Sequence, residues 1–408
     1  MSAGPPATSS PHLGASTGVL AASILTTVSS VYPAFLAGAL GPELRADVGM
    51  TERFFGLVVG GFFAGSAIGS VRLGRLGERL GARRMITASL VTTALVSAVI
   101  AAAVRSGPAL VAAMVVAGLA NSSGQTAANK LLSQSIAPDR LGVAMAIKQS
   151  GMPAAVLLGG LAVPAIALTV GWPWAYVAAA ALALIGLAVV RTYAPTEPGH
   201  AGTAAASTAA LVVSRPRTLL LAAVAAGFSS AAAGTLGNWF TNSATGAGWT
   251  TGAAGLLLSV GAIAGITSRL LLGRQADRRA ATRDDPVPAM RTAAGYLAFG
   301  AIGALLLAPR VVPTHAVAAI VAFAAGWSWP ALFNYAVVRT NPDGAAQATG
   351  VTQTGVYIGV FTGPILMGLL VESWGYELGW TVIATSMLVG ATIMWRIAPE
   401  FTGPTQSR

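Results

Sequence analysis

Gly74-Arg75-Leu76-Gly77-Glu78-Arg79-Leu80-Gly81-Ala82-Arg83-Arg84 is a basic, glycine-punctuated turn carrying one acid, set between two long apolar runs. A second version, Gly273-Arg274-Gln275-Ala276-Asp277-Arg278-Arg279, lies 199 residues further on, again between apolar runs. The acid keeps its distance from the glycine in both, Gly74 to Glu78 and Gly273 to Asp277. One such turn says little, because helix C-terminal turns commonly collect glycine and arginine. Two at the same place in two halves of the chain make a repeat, and the repeat decides the fold.

Composition says what surrounds the repeat. Charged residues are 9% of the chain, hydrophobic residues 54%, and the mean hydropathy is +0.70. A soluble globule carries about a quarter charged residues, so this is a polytopic membrane protein. With no cysteine there are no disulfides, thiolate metal sites or Cys nucleophiles, and the redox compartment stays open. The net charge of +11 comes from basic residues scattered over short loops. That is the pattern of orientation in a bilayer, not of a nucleic-acid surface. No Lys or Arg precedes the first apolar run, so a cleaved signal peptide is not expected.

Runs of about 18 or more apolar residues give twelve spans. They are 17–41, 54–73, 85–104, 108–133, 142–170 and 174–190, then 217–238, 253–272, 290–308, 314–339, 346–371 and 378–396. The expected organisation is a disordered tail over 1–16, an N-terminal six-helix bundle over 17–190, and a cytoplasmic linker over 191–216. A C-terminal bundle over 217–396 and a tail over 397–408 follow. With both termini inside, cytoplasmic loops and helix ends carry 20 of the 24 Lys and Arg. The outside holds Arg45, Arg53, Arg105 and Arg310, with five of the 13 acids. The positive-inside rule therefore sets both termini in the cytoplasm, in a plasma (inner) membrane. Trp172, Trp174, Trp239, Trp249, Trp374, Trp380 and Trp395 lie near span ends, as an interfacial belt would place them.

The halves repeat beyond the opening turns. Pro138-Asp139 and Gln149-Ser150-Gly151 match Pro342-Asp343 and Gln353-Thr354-Gly355, all offset by 204. Parallel six-span repeats predict an all-α fold of two bundles related by a pseudo-two-fold axis along the membrane normal. A substrate site is then expected between them near mid-membrane. The paired turns resemble the loop signature of the major facilitator superfamily, which follows the second and eighth membrane helices. The likeness covers nearly the whole chain. Glu78 stands where the family usually has Asp, which keeps the charge and lengthens the side chain. The resemblance implies that Gly74, Glu78, Arg79, Gly273, Asp277 and Arg278 gate the transporter. It also implies that the first, fourth, seventh and tenth spans line the cavity, while the third, sixth, ninth and twelfth face lipid.

The polar residues agree with that arrangement. The sixth span is apolar apart from terminal aromatics, whereas the fourth carries Asn121, Ser122, Ser123, Gln125, Thr126, Asn129 and Lys130. Asn121, Gln125 and Asn129 recur at i, i+4 and i+8 and share one face. Unpaired amides and an ammonium in lipid cost several kcal/mol, so these faces meet protein or water. Lys130 and Lys148 lie eight residues before and nine after the Pro138-Asp139 turn, hence at similar depth on antiparallel helices. They read either as an anion-attracting pair or as two lysines snorkelling to headgroups. Arg269 precedes Gly273 by four residues. This resembles the monocarboxylate and oxalate branches, where an Arg at this spacing binds substrate carboxylate. Leu270 and Gly265 depart from the monocarboxylate pattern, and packing against the loop is the alternative role. Trp327 and Trp329 fall mid-span and, at i and i+2, point about 200° apart, so at most one faces the cavity. Asn334, Gln353 and Tyr357 are the polar candidates near them. The glycines of the fifth and eleventh spans read as packing and hinge residues.

No Asp or Glu falls in the middle of a span, so the buried carboxylate common in proton-coupled carriers is not visible. His12, His200 and His315 lie in the tail, the linker and a helix end, which argues against an intramembrane hydrolase. The expectation is a secondary transporter without enzymatic activity, cofactor or metal, acting as a monomer in the lipid bilayer. Its cargo is a small solute, with a lean to an anionic or carboxylate-bearing metabolite, coupled to a proton or a counter-transported anion. Efflux of amphiphilic drugs or metabolites is the alternative, and a transport-dead receptor or scaffold a further one.

Overall fold

The computed structural model describes residues 13–195, 216–280, 286–341 and 345–401. Among them every regular element is helical: α1 (Leu13–Ala39), α2 (Gly41–Val48), α3 (Glu52–Leu80), α4 (Ala82–Ala103) and α5 (Gly107–Ser135). The fifth span is broken into α6 (Pro138–Gln149), α7 (Gly151–Ala162), a π-turn at Val163–Ala167 and α8 (Leu168–Val170). α9 (Trp172–Tyr193) ends the first half. The second half holds α10 (Pro216–Gly246), α11 (Thr251–Ala280), α12 (Val287–Leu305), α13 (Val312–Gly326), α14 (Trp329–Thr340) and α15 (Ala345–Ile397). α15 is two arms folded at Gly375, so the twelve expected spans are all present. The first expected span is corrected at its end, where a break at Leu40 turns Gly41–Val48 into a separate short helix. The seventh is corrected too, running to Gly246 and not stopping at 238.

Local chemistry explains the breaks. Pro164 withholds an amide hydrogen inside the fifth span, and the ladder relaxes into the π-turn around it. Pro330 does the same in the tenth span, which opens at Trp327-Ser328 between α13 and α14. Gly171 and Gly375, another pair offset by 204, close the turns into the sixth and twelfth spans. Their φ/ψ values of 99/152 and 85/172 lie in a region essentially reserved for glycine.

In the first half α1, α3, α4, α5, α7 and α9 pack together, and in the second α10 packs on α15, α12 on α13 and α15, and α11 on α13. The halves meet along α3 with α15, α7 with α11, and α1 with α10. Exchanging the halves turns the first contact into the second and maps the third onto itself, which is the pseudo-two-fold relation the repeat predicts. Small residues make the crossings. A Cβ at Gly56 would lie 2.7 Å from the Pro364 carbonyl, and one at Gly255 2.6 Å from the Gly160 carbonyl.

The bundles are fastened at one end, the end of Glu52. Arg45 Nη1 lies 2.5 Å from Glu52 Oε1, and the Tyr376 hydroxyl donates to the same oxygen at 3.1 Å. Arg45 also donates to Asn242 Oδ1 at 3.3 Å, and the Arg53 amide donates to Glu372 Oε2 at 2.7 Å. Among the described residues, the hydrogen bonds joining the two bundles fall at this end or mid-span, the latter being Ser259 to the Leu157 carbonyl at 3.0 Å.

Candidate functional site

Two polar centres stand out within the membrane spans, one in each half. In the second half α11 carries Arg269 past the break in the tenth span. Its Nε donates to the Trp327 carbonyl at 2.7 Å, and its Cζ sits 6.0 Å from the centre of the Trp327 ring. Trp327 is itself held. Its indole N–H donates to the Ala233 carbonyl at 3.0 Å, and its ring packs 5.0 Å from Phe323 and 6.1 Å from Phe35 of the other bundle. One guanidinium nitrogen is thus tied down, and among the described residues nothing takes the hydrogens on the other two. No carboxylate neutralises the guanidinium either: the ion pair among the described residues is Arg45 with Glu52. A half-buried guanidinium with a fixed plane and open fork matches two carboxylate oxygens.

In the first half α5 and α6 build a hydrogen-bonded chain. Lys148, 1% exposed, donates to Gln125 Oε1 at 2.6 Å and to Asn129 Oδ1 at 2.9 Å. Gln125 Nε2 reaches Ser30 Oγ and Asn121 Oδ1, both at 3.4 Å. Ser30 donates to Asn121 Oδ1 at 3.0 Å, and Asn121 donates to Ser66 Oγ at 3.1 Å. The i, i+4, i+8 amide stripe is therefore one network. α1 adds Ser30 to it and α3 adds Ser66, which the sequence did not mark.

The other expected residues fall as follows. Lys130 turns to the end of α3, with Nζ 3.4 Å from the Gly77 carbonyl, so the two lysines serve different partners and do not act as a facing pair. Nor does Lys148 snorkel to headgroups, because it is enclosed between α1, α5 and α6. Trp327 is the tryptophan that meets the opposite bundle, while Trp329 packs 5.4 Å from Phe333 within its own half. Gln353 and Tyr357 hydrogen-bond to each other, and Asn334 is exposed on α14. Arg79 is exposed near the end of α3, and Gly273 lies in α11 with open space around it. Gly74, Glu78, Asp277 and Arg278 lie outside the residues whose side chains are described. The fastening residues Arg45, Asn242 and Tyr376 were not anticipated as a group. Among them only Arg45, an arginine on the acid-rich side, carried a signal.

No curated protein matches the chain. A D-xylose–proton symporter superposes with a TM-score of 0.73 at 16% identity, over 95% of this chain and 98% of that one. A bacterial homologue of the human lysosomal transporter Spinster, in an inward-facing and unoccupied conformation, gives 0.69 at 13% identity, over 96% and 97%. At these identities the likeness is one of fold. The sequence model of the Major Facilitator Superfamily matches residues 14–354, and with its paired six-helix bundles and repeated turns the chain belongs to that family of secondary transporters.

Proposed function

We propose that this transporter moves a small organic anion by uptake or exchange, its carboxylate held by Arg269 between the two bundles. The observation that carries this reading is the guanidinium itself, pinned through Nε, stacked beside Trp327, and left with an open fork and no acid. A membrane protein tolerates an uncompensated charge at this depth when that charge has work to do. The excess of basic residues on the Gly81 side supports placing that side, with both termini, in the cytoplasm of a plasma-membrane protein. The fastened Glu52 end is then external and the conformation inward-facing. The segment 191–216 is read as the cytoplasmic linker between the bundles, and the protein as a monomer. A proton or a second anion remains the coupling partner.

The rings of Phe35, Phe323 and Trp327 favour a second reading, in which the same space accepts an amphiphile for efflux. A thermal-shift screen of small carboxylates against lipophilic cations separates the two, since a ligand stabilises the state it binds. Stabilisation by carboxylates that disappears in Arg269→Ala supports the anion reading. Stabilisation by the cations alone supports efflux.

A further inference from the structure

The buried lysine of the first bundle has a consequence for what the site recognises. Lys148 has hydrogens to give, and two of them go to side-chain amides, at 2.6 Å to Gln125 and 2.9 Å to Asn129. An ammonium donates and cannot accept, so each amide must turn its oxygen toward the lysine. The orientation that is ordinarily ambiguous in an Asn or Gln is here dictated by chemistry. Each amide must then turn its N–H₂ group away. Gln125 offers its hydrogens toward Ser30 and Asn121 at 3.4 Å, the outer limit of a hydrogen bond. Among the described residues nothing takes those of Asn129, which is exposed. An exposed amide facing hydrocarbon would cost several kcal/mol, so this face of α5 meets the aqueous space between the bundles.

We propose that Lys148 is a positioning residue that aims the amide hydrogens of Asn129 into the transport path as a second, donor-only subsite for an oxygen acceptor of the substrate. This rests on the reading of Arg269 as the carboxylate site and narrows the substrate class. The cargo carries a carboxylate for Arg269 and, at its other end, a second carboxylate, a hydroxyl or a carbonyl. The two subsites belong to opposite bundles, so a two-ended acid engages both halves that must move against each other, whereas a simple fatty acid engages one. The ammonium behind the amides also lacks an acidic partner among the described residues, so a negative second group is favoured further.

The test uses the purified full chain and three four-carbon probes: butyrate, 3-hydroxybutyrate and succinate. Dissociation constants are measured for wild type, Lys148→Met, Lys148→Arg, Asn129→Asp and Arg269→Ala, with the ligand-free melting temperature as the check on folding. Wild type should bind succinate about tenfold more tightly than butyrate, the worth of one charge-assisted hydrogen bond, and 3-hydroxybutyrate about fivefold, the worth of a neutral one. Each ratio should fall to within about threefold in Lys148→Met and Asn129→Asp. Lys148→Arg, which still only donates, should restore it. A ratio unchanged in both Lys148→Met and Asn129→Asp, or absent in wild type, overturns the second subsite while leaving Arg269 in place. If Lys148→Met does not fold, Asn129→Asp alone decides, because it keeps the lysine and replaces the donors by an acceptor. Binding of none of the probes by wild type, or undiminished binding by Arg269→Ala, brings down the carboxylate reading itself and this inference with it.

Discussion

Arg269 is held through one nitrogen and offers two, and that division of labour is specific to a guanidinium. A lysine at the same position has one nitrogen for both tasks. Its hydrogens radiate from a single point, so an ammonium held at the Trp327 carbonyl cannot also present the two parallel, coplanar donors that a carboxylate takes from a guanidinium. Arg269→Lys should therefore weaken carboxylate binding by about tenfold or more while expressing and melting near wild type. Retained affinity would make Arg269 a packing residue that joins α11 to the break in the tenth span. Sequence reasoning found this residue from its spacing to Gly273. It could not find the Nε contact, because the Trp327 carbonyl becomes available only where Pro330 interrupts the helix. Lys148 was misread for a related reason. Spacing speaks to its position along the helix but not to its rotamer, and the rotamer follows from which neighbours offer oxygen.

Among elements, the fold was legible where chain geometry has one solution. Apolar runs of span length must be helices in a bilayer, because no water is there to satisfy the backbone. The turn at Gly375 shows how local that constraint is. No atom lies within 4 Å of where its Cβ would stand, so a substitution there meets no steric clash, only the backbone conformation. Gly375→Ala should cost about 1–3 kcal/mol and lower the melting temperature by several degrees. Gly350, equally unobstructed but helical and exposed, provides the contrast. Gly350→Ala should be neutral or stabilising by about 0.5–1 kcal/mol, since alanine costs the helix less entropy. Equal effects at both positions in a melting experiment would refute the assignment of the Gly375 turn. The breaks in the fifth and tenth spans were less legible. A proline in a long apolar run permits a kink, and neighbouring helices determine whether it becomes a π-turn or an opened ladder.

For the whole molecule, alternating access depends on how easily the Glu52 end parts, and this is where pH enters. Glu43, on α2, is half-buried against Thr251 of the other bundle. Burial pushes its carboxyl above the usual carboxylate range, against smaller opposing effects of its own backbone amide and Thr251. Opening that end would return Glu43 to water and to its ordinary value. A group whose pKa is raised in the closed state stabilises that state fully below the ordinary value, and the stabilisation is lost as pH rises through the raised one. Acid should thus favour the fastened conformation. Double electron–electron resonance between spin labels on α2 and α11 should show shorter distances as pH falls. Glu43→Gln should flatten that dependence, and an identical profile in the variant would assign it to other groups.

This contact, like those of Arg45 with Asn242 and Glu52 with Tyr376, joins residues some 200 to 320 positions apart. Composition and motif pointed to two bundles, but only folding pairs such residues, so the closed end was invisible in the sequence. The candidate site was half legible for the same reason. Its charged members stood out in apolar spans, while Phe35 was an ordinary span residue until α1 was packed against α10.

The central claim, that Arg269 carries a substrate carboxylate across, is tested most directly by counterflow in proteoliposomes. Vesicles preloaded with an unlabelled two-ended carboxylate such as succinate or 3-hydroxybutyrate would be presented with the labelled compound. A labelled lipophilic cation on matched vesicles would serve as the comparison. The proposal predicts exchange of the carboxylate by wild type, its loss in Arg269→Ala, and no exchange of the cation. Carboxylate exchange undiminished in Arg269→Ala, or exchange of the cation alone, would contradict it.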